Sequence, residues 1–192
     1  MAKIKNQKNQ VRIIAGQYKG RKLNVPNIPG LRPTGDRIRE TLFNWLMPYI
    51  KGSVCLDLFT GSGALALEAA SRGAAHVVAI DISPKIIHDL KLQTQTWTSG
   101  LGISNLEFLC EDALVWLQKN LKSGQKFDVV FIDPPFSESL WPPVLEYLDS
   151  YLKPETFVYI EKNEELLISD NFLLEKSLRA GKVEAHLYRY MV

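Results

Sequence analysis

The chain is most constrained between Ser53 and Asp81, where an apolar run, two glycines, a helical stretch and a second apolar run follow in the order of one strand–helix–strand unit. Ser53-Val54-Cys55-Leu56-Asp57-Leu58-Phe59 reads as a buried strand, and Gly61 and Gly63 give a turn whose backbone can approach a ligand without Cβ interference. Ala64 to Arg72 is rich in helix formers and stops at Gly73, so a ligand of the turn would lie at a helix N-terminus. His76-Val77-Val78-Ala79-Ile80 then runs into Asp81, about 20 residues beyond the glycines, where a carboxylate can accept both hydroxyls of a ribose. The unit selects a doubly wound α/β sheet with a nucleotide-type cofactor. Gly61-Ser62-Gly63-Ala64-Leu65-Ala66 also satisfies the dinucleotide fingerprint with alanine at its last position, so two cofactors remain open at this point.

A later stretch separates them. Phe127 to Ile132 is a buried-type strand that ends in Asp133-Pro134-Pro135-Phe136. Alone, this tetrad reads equally well as a tight turn after a strand. Together with the acids that end the first two strands, Asp57 and Asp81, it resembles S-adenosylmethionine-dependent methyltransferases that act on exocyclic amino groups of nucleobases. The cofactor rival, a nicotinamide-dependent oxidoreductase, explains neither the tetrad nor the charge distribution.

That distribution is polarised. The net charge is +2, yet residues 1–35 hold eight Lys and Arg and no acid, leaving 15 bases against 21 acids in the remainder. A basic arm on an acidic body suits contact with a phosphate backbone, because each neutralised phosphate releases a counterion; a solvated tail is the bland alternative. With 192 residues the chain is sized for one α/β domain, with residues 1–30 as a basic arm and β-hairpin extending a domain over 31–192. No apolar run is long enough for a bilayer, and the basic, polar N-terminus lacks the apolar core of a secretory signal, so a cytoplasmic location is expected; a monomer is expected as well. Cys55 and Cys110 fall inside expected strands and read as buried thiols, while His76, His88 and His186 lack ligand spacing, so no metal is expected.

Along the chain, residues 1–10 read as disordered until bound. Val11–Gly16 and Lys19–Val25 read as a hairpin carrying Arg12, Lys19, Arg21 and Lys22. A loop over Pro26–Gly30 leads to a helix with Thr34 as N-cap and Ile38, Leu42, Phe43, Leu46 and Tyr49 as its apolar stripe. Arg32, Thr34, Arg37, Arg39 and Glu40 fall outside that stripe; they either serve a cofactor or substrate mouth or form a structural salt-bridged surface. Pro84 opens a further helix, and Asn105–Cys110 is a third strand. Asp112 beyond it either accepts from an adenine amino group or caps the helix that follows. A helix from the Ser137 region to Tyr151, a strand at Thr156–Ile160 and a terminal hairpin, Asn171–Leu178 with Lys182–Tyr190, complete the sheet.

Taken together, Arg32-Pro33-Thr34, Arg39 to Leu46, Asp57 to Gly63 and Asp133-Pro134-Pro135-Phe136 resemble the RsmD family over nearly the whole length. That family comprises bacterial methyltransferases of the exocyclic N2 of one guanine in small-subunit (16S) ribosomal RNA. The resemblance implies a Rossmann-like class I methyltransferase with a seven-stranded mixed sheet, and an N-terminal hairpin against ribosomal RNA, free or within the small subunit. It implies S-adenosylmethionine held by Asp57, Phe59, Gly61, Gly63, Asp81, Ile82, Asp112 and Ala113. It further implies catalysis by Asp133, Pro134 and Phe136, and substrate contact by Arg12, Lys19, Arg21, Lys22, Arg32, Arg39 and Pro135. Gly35, where the family places a larger polar residue, and Thr60, at a position often small, depart from the pattern. Adenine-N6 methylation of DNA is the rival reaction, since its amine would use the same acceptors.

Overall fold

The computed structural model describes residues 10–25, 35–98, 103–134, 141–162, 168–181 and 183–192. In chain order they form β1 (Gln10–Arg12), β2 (Lys22–Asn24), α1 (Asp36–Trp45), α2 (Met47–Ile50), β3 (Val54–Asp57), α3 (Ala64–Ser71) and β4 (His76–Asp81). Then come α4 (Pro84–Gln95), β5 (Leu106–Cys110), α5 (Ala113–Asn120), β6 (Val129–Ile132), α6 (Trp141–Leu148), β7 (Phe157–Lys162), β8 (Phe172–Ala180) and β9 (Val183–Tyr190). β1 and β2 form a separate antiparallel hairpin, and the other seven strands form one sheet in the order β5-β4-β3-β6-β7-β9-β8. β5 through β7 run parallel, and β9 is antiparallel to both of its neighbours.

The continuous apolar runs of the central strands arise because both sheet faces are covered. Cys55, Val77, Ala79, Val129, Phe131, Phe157 and Tyr159 face one core, completed by α1, α3, α4 and the hairpin. Their even-numbered neighbours Leu56, Val78, Ile80, Val130, Ile132, Val158 and Ile160 face the other, completed by α5 and α6. That alternation is the period of two of a pleated strand. Every residue of α3 is buried, as expected of a helix between the sheet on one side and the hairpin on the other.

The hairpin is locked into the domain. Val11, Ile13, Tyr18 and Leu23 belong to the first core. Ile14 N and Ala15 N donate to the two oxygens of Glu68 at 2.8 and 3.0 Å. Gln17 N donates to Ser71 O at 2.7 Å, and Tyr18 N to Ser71 Oγ at 3.0 Å. Gly16, at φ +82°, lies so close to α3 that a Cβ there would meet Ser71 O at 1.9 Å. Deleting residues 1–22 would therefore strip Val11, Ile13 and Tyr18 from that core. The expected disorder of residues 1–10 falls outside the described residues except at Gln10, which opens β1.

Some local expectations change. Gly35 occupies the N-cap of α1, with no side-chain cap; Thr34 lies outside the described residues. The helix breaks at Leu46 rather than continuing to Tyr49, because Pro48 in the first turn of α2 has no N–H to continue the ladder. Tyr49 is accordingly half-exposed, with its ring 4.4 Å from that of Phe157. Cys55 is buried, and its thiol is pushed up to about 12 by burial. Cys110, expected buried, is exposed at the end of the outer strand β5. Among the described residues no helix is long and apolar enough to cross a membrane, and no group of three or more His, Cys, Asp or Glu is placed to hold a metal.

Candidate active site

In an open parallel sheet, ligands bind beyond the carboxyl ends of the strands, where the winding direction reverses. Here the chain passes from β3 outward to β4 and β5, then returns to place β6 on the opposite side of β3. Asp57 ends β3, Asp81 ends β4, and Asp133 follows the last residue of β6, so the fold brings these three acids to one edge.

Between β3 and α3 the loop is pinned to β4 by its backbone. Thr60 N donates to Ile80 O at 2.7 Å, and Gly61 N to Asp81 Oδ2 at 2.9 Å. Asp81 Oδ1 accepts from Ser83 N at 2.8 Å. Burial raises the Asp81 carboxyl, and the Ser83 and Gly61 amides oppose that rise. Gly63 adopts φ +75°, and a Cβ there would lie 2.8 Å from Leu90 Cδ2, so its missing side chain also admits α4.

Asp57 is almost wholly buried. Its Oδ2 accepts from Thr60 Oγ1 at 2.9 Å and from Ala66 N at 3.2 Å, whereas Oδ1 is buried without a hydrogen-bond partner. Burial pushes this carboxyl up to about 7 against the Thr60 hydroxyl and the Ala66 and Phe59 amides; the nearby charge of Asp81 also raises it. A buried acceptor left unsatisfied is costly, which singles out Asp57 among the acids at the strand ends. Thr60, whose role the sequence left open, is the residue that holds Asp57.

The remaining cleft residues divide clearly. Ile82 follows Asp81 and is 68% exposed, an apolar surface at the rim. Phe59 is half-buried, and Ala113 is buried at the start of α5. Asp112 caps α5: its Oδ1 accepts from Leu114 N at 2.9 Å and Val115 N at 3.0 Å. Just past β6, Asp133 is half-buried and Pro134 buried; Pro135, Phe136 and Arg32 lie outside the described residues.

Of the expected substrate contacts, Arg12, Lys19, Arg21 and Lys22 are exposed on the hairpin. Arg12 and Lys22 are directly paired across its strands, a like-charge arrangement that favours an anionic partner. Arg39 is a correction. It is fully buried, bonded to Asp36 Oδ1 at 2.6 Å and to Arg12 O at 3.1 Å, with Nη1 3.9 Å from Glu68. Position 39 lies three and four residues before Leu42 and Phe43, so its guanidinium shares their inward face and fastens α1 to the hairpin and α3. Sequence reasoning missed Glu68 and Ser71 as well; each looks like an ordinary polar residue in a helix, and their partners lie more than 50 residues away.

A sheet with one antiparallel strand next to its edge, and acids at the ends of its central parallel strands, defines a class I S-adenosylmethionine-dependent methyltransferase. The structure of SMU.776 complexed with S-adenosylhomocysteine shares this fold at TM-score 0.67, with 13% identity over 87% of this chain and 52% of that one. More particularly, the chain belongs to the family described as Conserved hypothetical protein 95, the RsmD family, which matches residues 11–189. It is 43% identical over 188 residues to the Ribosomal RNA small subunit methyltransferase D of Haemophilus influenzae, covering 96% of each chain. The solved structure of yhhF from Escherichia coli superposes with TM-score 0.84 and 39% identity, over 96% of this chain and 99% of that one.

Proposed function

We propose that this protein methylates the exocyclic N2 of a guanine in small-subunit ribosomal RNA. The observation that carries the reading is the junction of Asp133 and Pro134, at the end of β6, with the Asp57–Asp81 cleft beside it. Ribosomal RNA is favoured as substrate by the name of the Haemophilus influenzae relative and by the exposed cations of the hairpin. DNA adenine methylation would use the same acceptors but has no such support.

The residues fit S-adenosylmethionine. Asp81 would accept from its ribose, Ile82 would lie against its adenine, and Asp57 Oδ1, which has no hydrogen-bond partner, would accept from its cationic ammonium, beside the loop at Gly61. When bound, this cofactor supplies an electrophilic methyl group on sulfur and leaves as a neutral thioether.

The guanine N2 lone pair is delocalised into the ring, so attack requires the nitrogen to pyramidalise while positive charge builds on it. The Asp133 carboxylate and the Pro134 carbonyl accept the two amino hydrogens and hold the lone pair toward the methyl group. Only the carboxylate responds strongly to the developing charge, which makes its interaction stronger in the transition state than in the ground state. Phe136 stacks on the base, offsetting part of the cost of taking it out of a helix. Asp133→Ala should lose about 2.7–4 kcal/mol of transition-state stabilisation, a hundredfold or more in rate. Single-turnover transfer at saturating RNA and cofactor measures this; a wild-type rate would reduce the tetrad to a structural turn.

A further inference from the structure

Tyr159 is fully buried in β7, and its hydroxyl donates to Glu161 Oε1 at 2.7 Å. The methyl transfer described above gives neither residue a role. Both occupy the sheet face of Phe131, whose ring meets that of Tyr159 edge-on at a centroid distance of 6.4 Å. Ile132 pairs with Ile160 in parallel register, so Asp133 and Glu161 stand side by side, one position beyond that pair. Neighbouring strands run about 4.8 Å apart, which brings the two carboxylates to one mouth. The phenol feels both: after burial, the charges of Glu161 and then Asp133 hold its proton in place. A buried hydroxyl with one fixed acceptor aims that acceptor. An ionised carboxylate has about four lone-pair sites, so accepting from Tyr159 is compatible with accepting from a substrate as well.

The edge of guanine that carries N2 presents a second donor beside it, the N1–H. Adenine presents an acceptor at N1, next to its N6 amine. An anionic acceptor adjoining the amine site therefore attracts one base and repels the other. We propose that Glu161, positioned by Tyr159, accepts the N1–H of the target guanine while Asp133 and Pro134 hold its N2 hydrogens, and so selects guanine over adenine. This inference rests on the guanine-N2 reading above.

The test uses small-subunit RNA carrying either guanine or 2-aminopurine at the mapped target position. 2-Aminopurine keeps the N2 amine but has an acceptor at N1. The wild-type enzyme should prefer guanine in kcat/KM. Glu161→Gln, whose amide can donate to that acceptor, should reduce the preference by about tenfold or more. Tyr159→Phe, which frees the carboxylate from its anchor, should narrow the ratio with cofactor affinity unchanged. A preference unaltered in both variants would overturn the assignment. A wild-type product other than N2-methylguanine would instead overturn the reading on which it rests, and the nucleoside identified by mass spectrometry tells the two failures apart.

Discussion

Glu68 joins the hairpin, α1 and α3, and removing its carboxylate should loosen all three. In Glu68→Ala, the Ile14 and Ala15 amides lose their acceptor, and Arg72 Nε loses a partner at 2.8 Å. Arg39, fully buried with Nη1 3.9 Å from Glu68, loses a counter-charge. Breaking a buried ion pair by removing one partner costs about 3–5 kcal/mol, a large share of the roughly 5–15 kcal/mol that a domain has in total. At about 2–4 °C per kcal/mol for a chain of this size, the melting temperature should fall by roughly 6–20 °C. Glu68→Gln, which keeps an acceptor oxygen without the charge, should fall between the parent and Ala. Hydrogen exchange supplies the local readout, since Ile14 and Ala15 should lose protection well before the amides of β3 and β6. An Ala variant that melts within about 2 °C of the parent, with both hairpin amides still protected, would refute the hub.

Two further expectations follow from the charges. Because the folded chain raises Asp57 from the usual 3.8 to about 7, it holds a proton across that window that the unfolded chain releases, so this group's contribution to stability falls as pH rises through it. A cation held at Oδ1 reverses the preference; S-adenosylhomocysteine should bind more tightly from about pH 6 to about pH 8, with proton release in calorimetry that Asp57→Asn abolishes. A pH-independent affinity in the parent would contradict it. Replacing Arg12 and Lys22 together with alanine should flatten the dependence of log affinity for RNA on log salt by about 0.7–0.9 per lost phosphate contact; an unchanged slope would place the RNA elsewhere.

The features legible in the sequence are those written locally. The β3–α3–β4 unit, the acids at its strand ends and the Asp133-Pro134 junction are each signalled within a few residues by apolar runs, glycine and proline. The terminal hairpin is legible for the same reason, though its first strand runs on to Ala180 and the register shifts between Leu174 and Lys176. Pro48 was also a local signal, and it breaks the helix where the apolar stripe suggested continuity. What stayed hidden depends on distant pairs. Arg39 looks like a surface cation until the fold buries it beside Glu68, and Gly16 looks like a turn glycine until α3 is packed against it. Gly63 matches a ligand-loop pattern, and only the fold shows that a Cβ there would also crowd Leu90 of α4. Glu161 follows an apolar run of β7 with no motif around it, and only the parallel register of β6 and β7 sets it beside Asp133.

The central claim concerns one atom of one base, and the most direct test identifies that atom. The purified protein would be incubated with labelled S-adenosylmethionine and small-subunit ribosomal RNA, free and in subunits, from cells lacking the enzyme, and the digested product analysed by mass spectrometry. The account predicts label in N2-methylguanosine at a single position, transferred at least a hundredfold more slowly when Asp133 is alanine. Label in methyladenosine, or transfer to DNA in preference to either RNA, would contradict it.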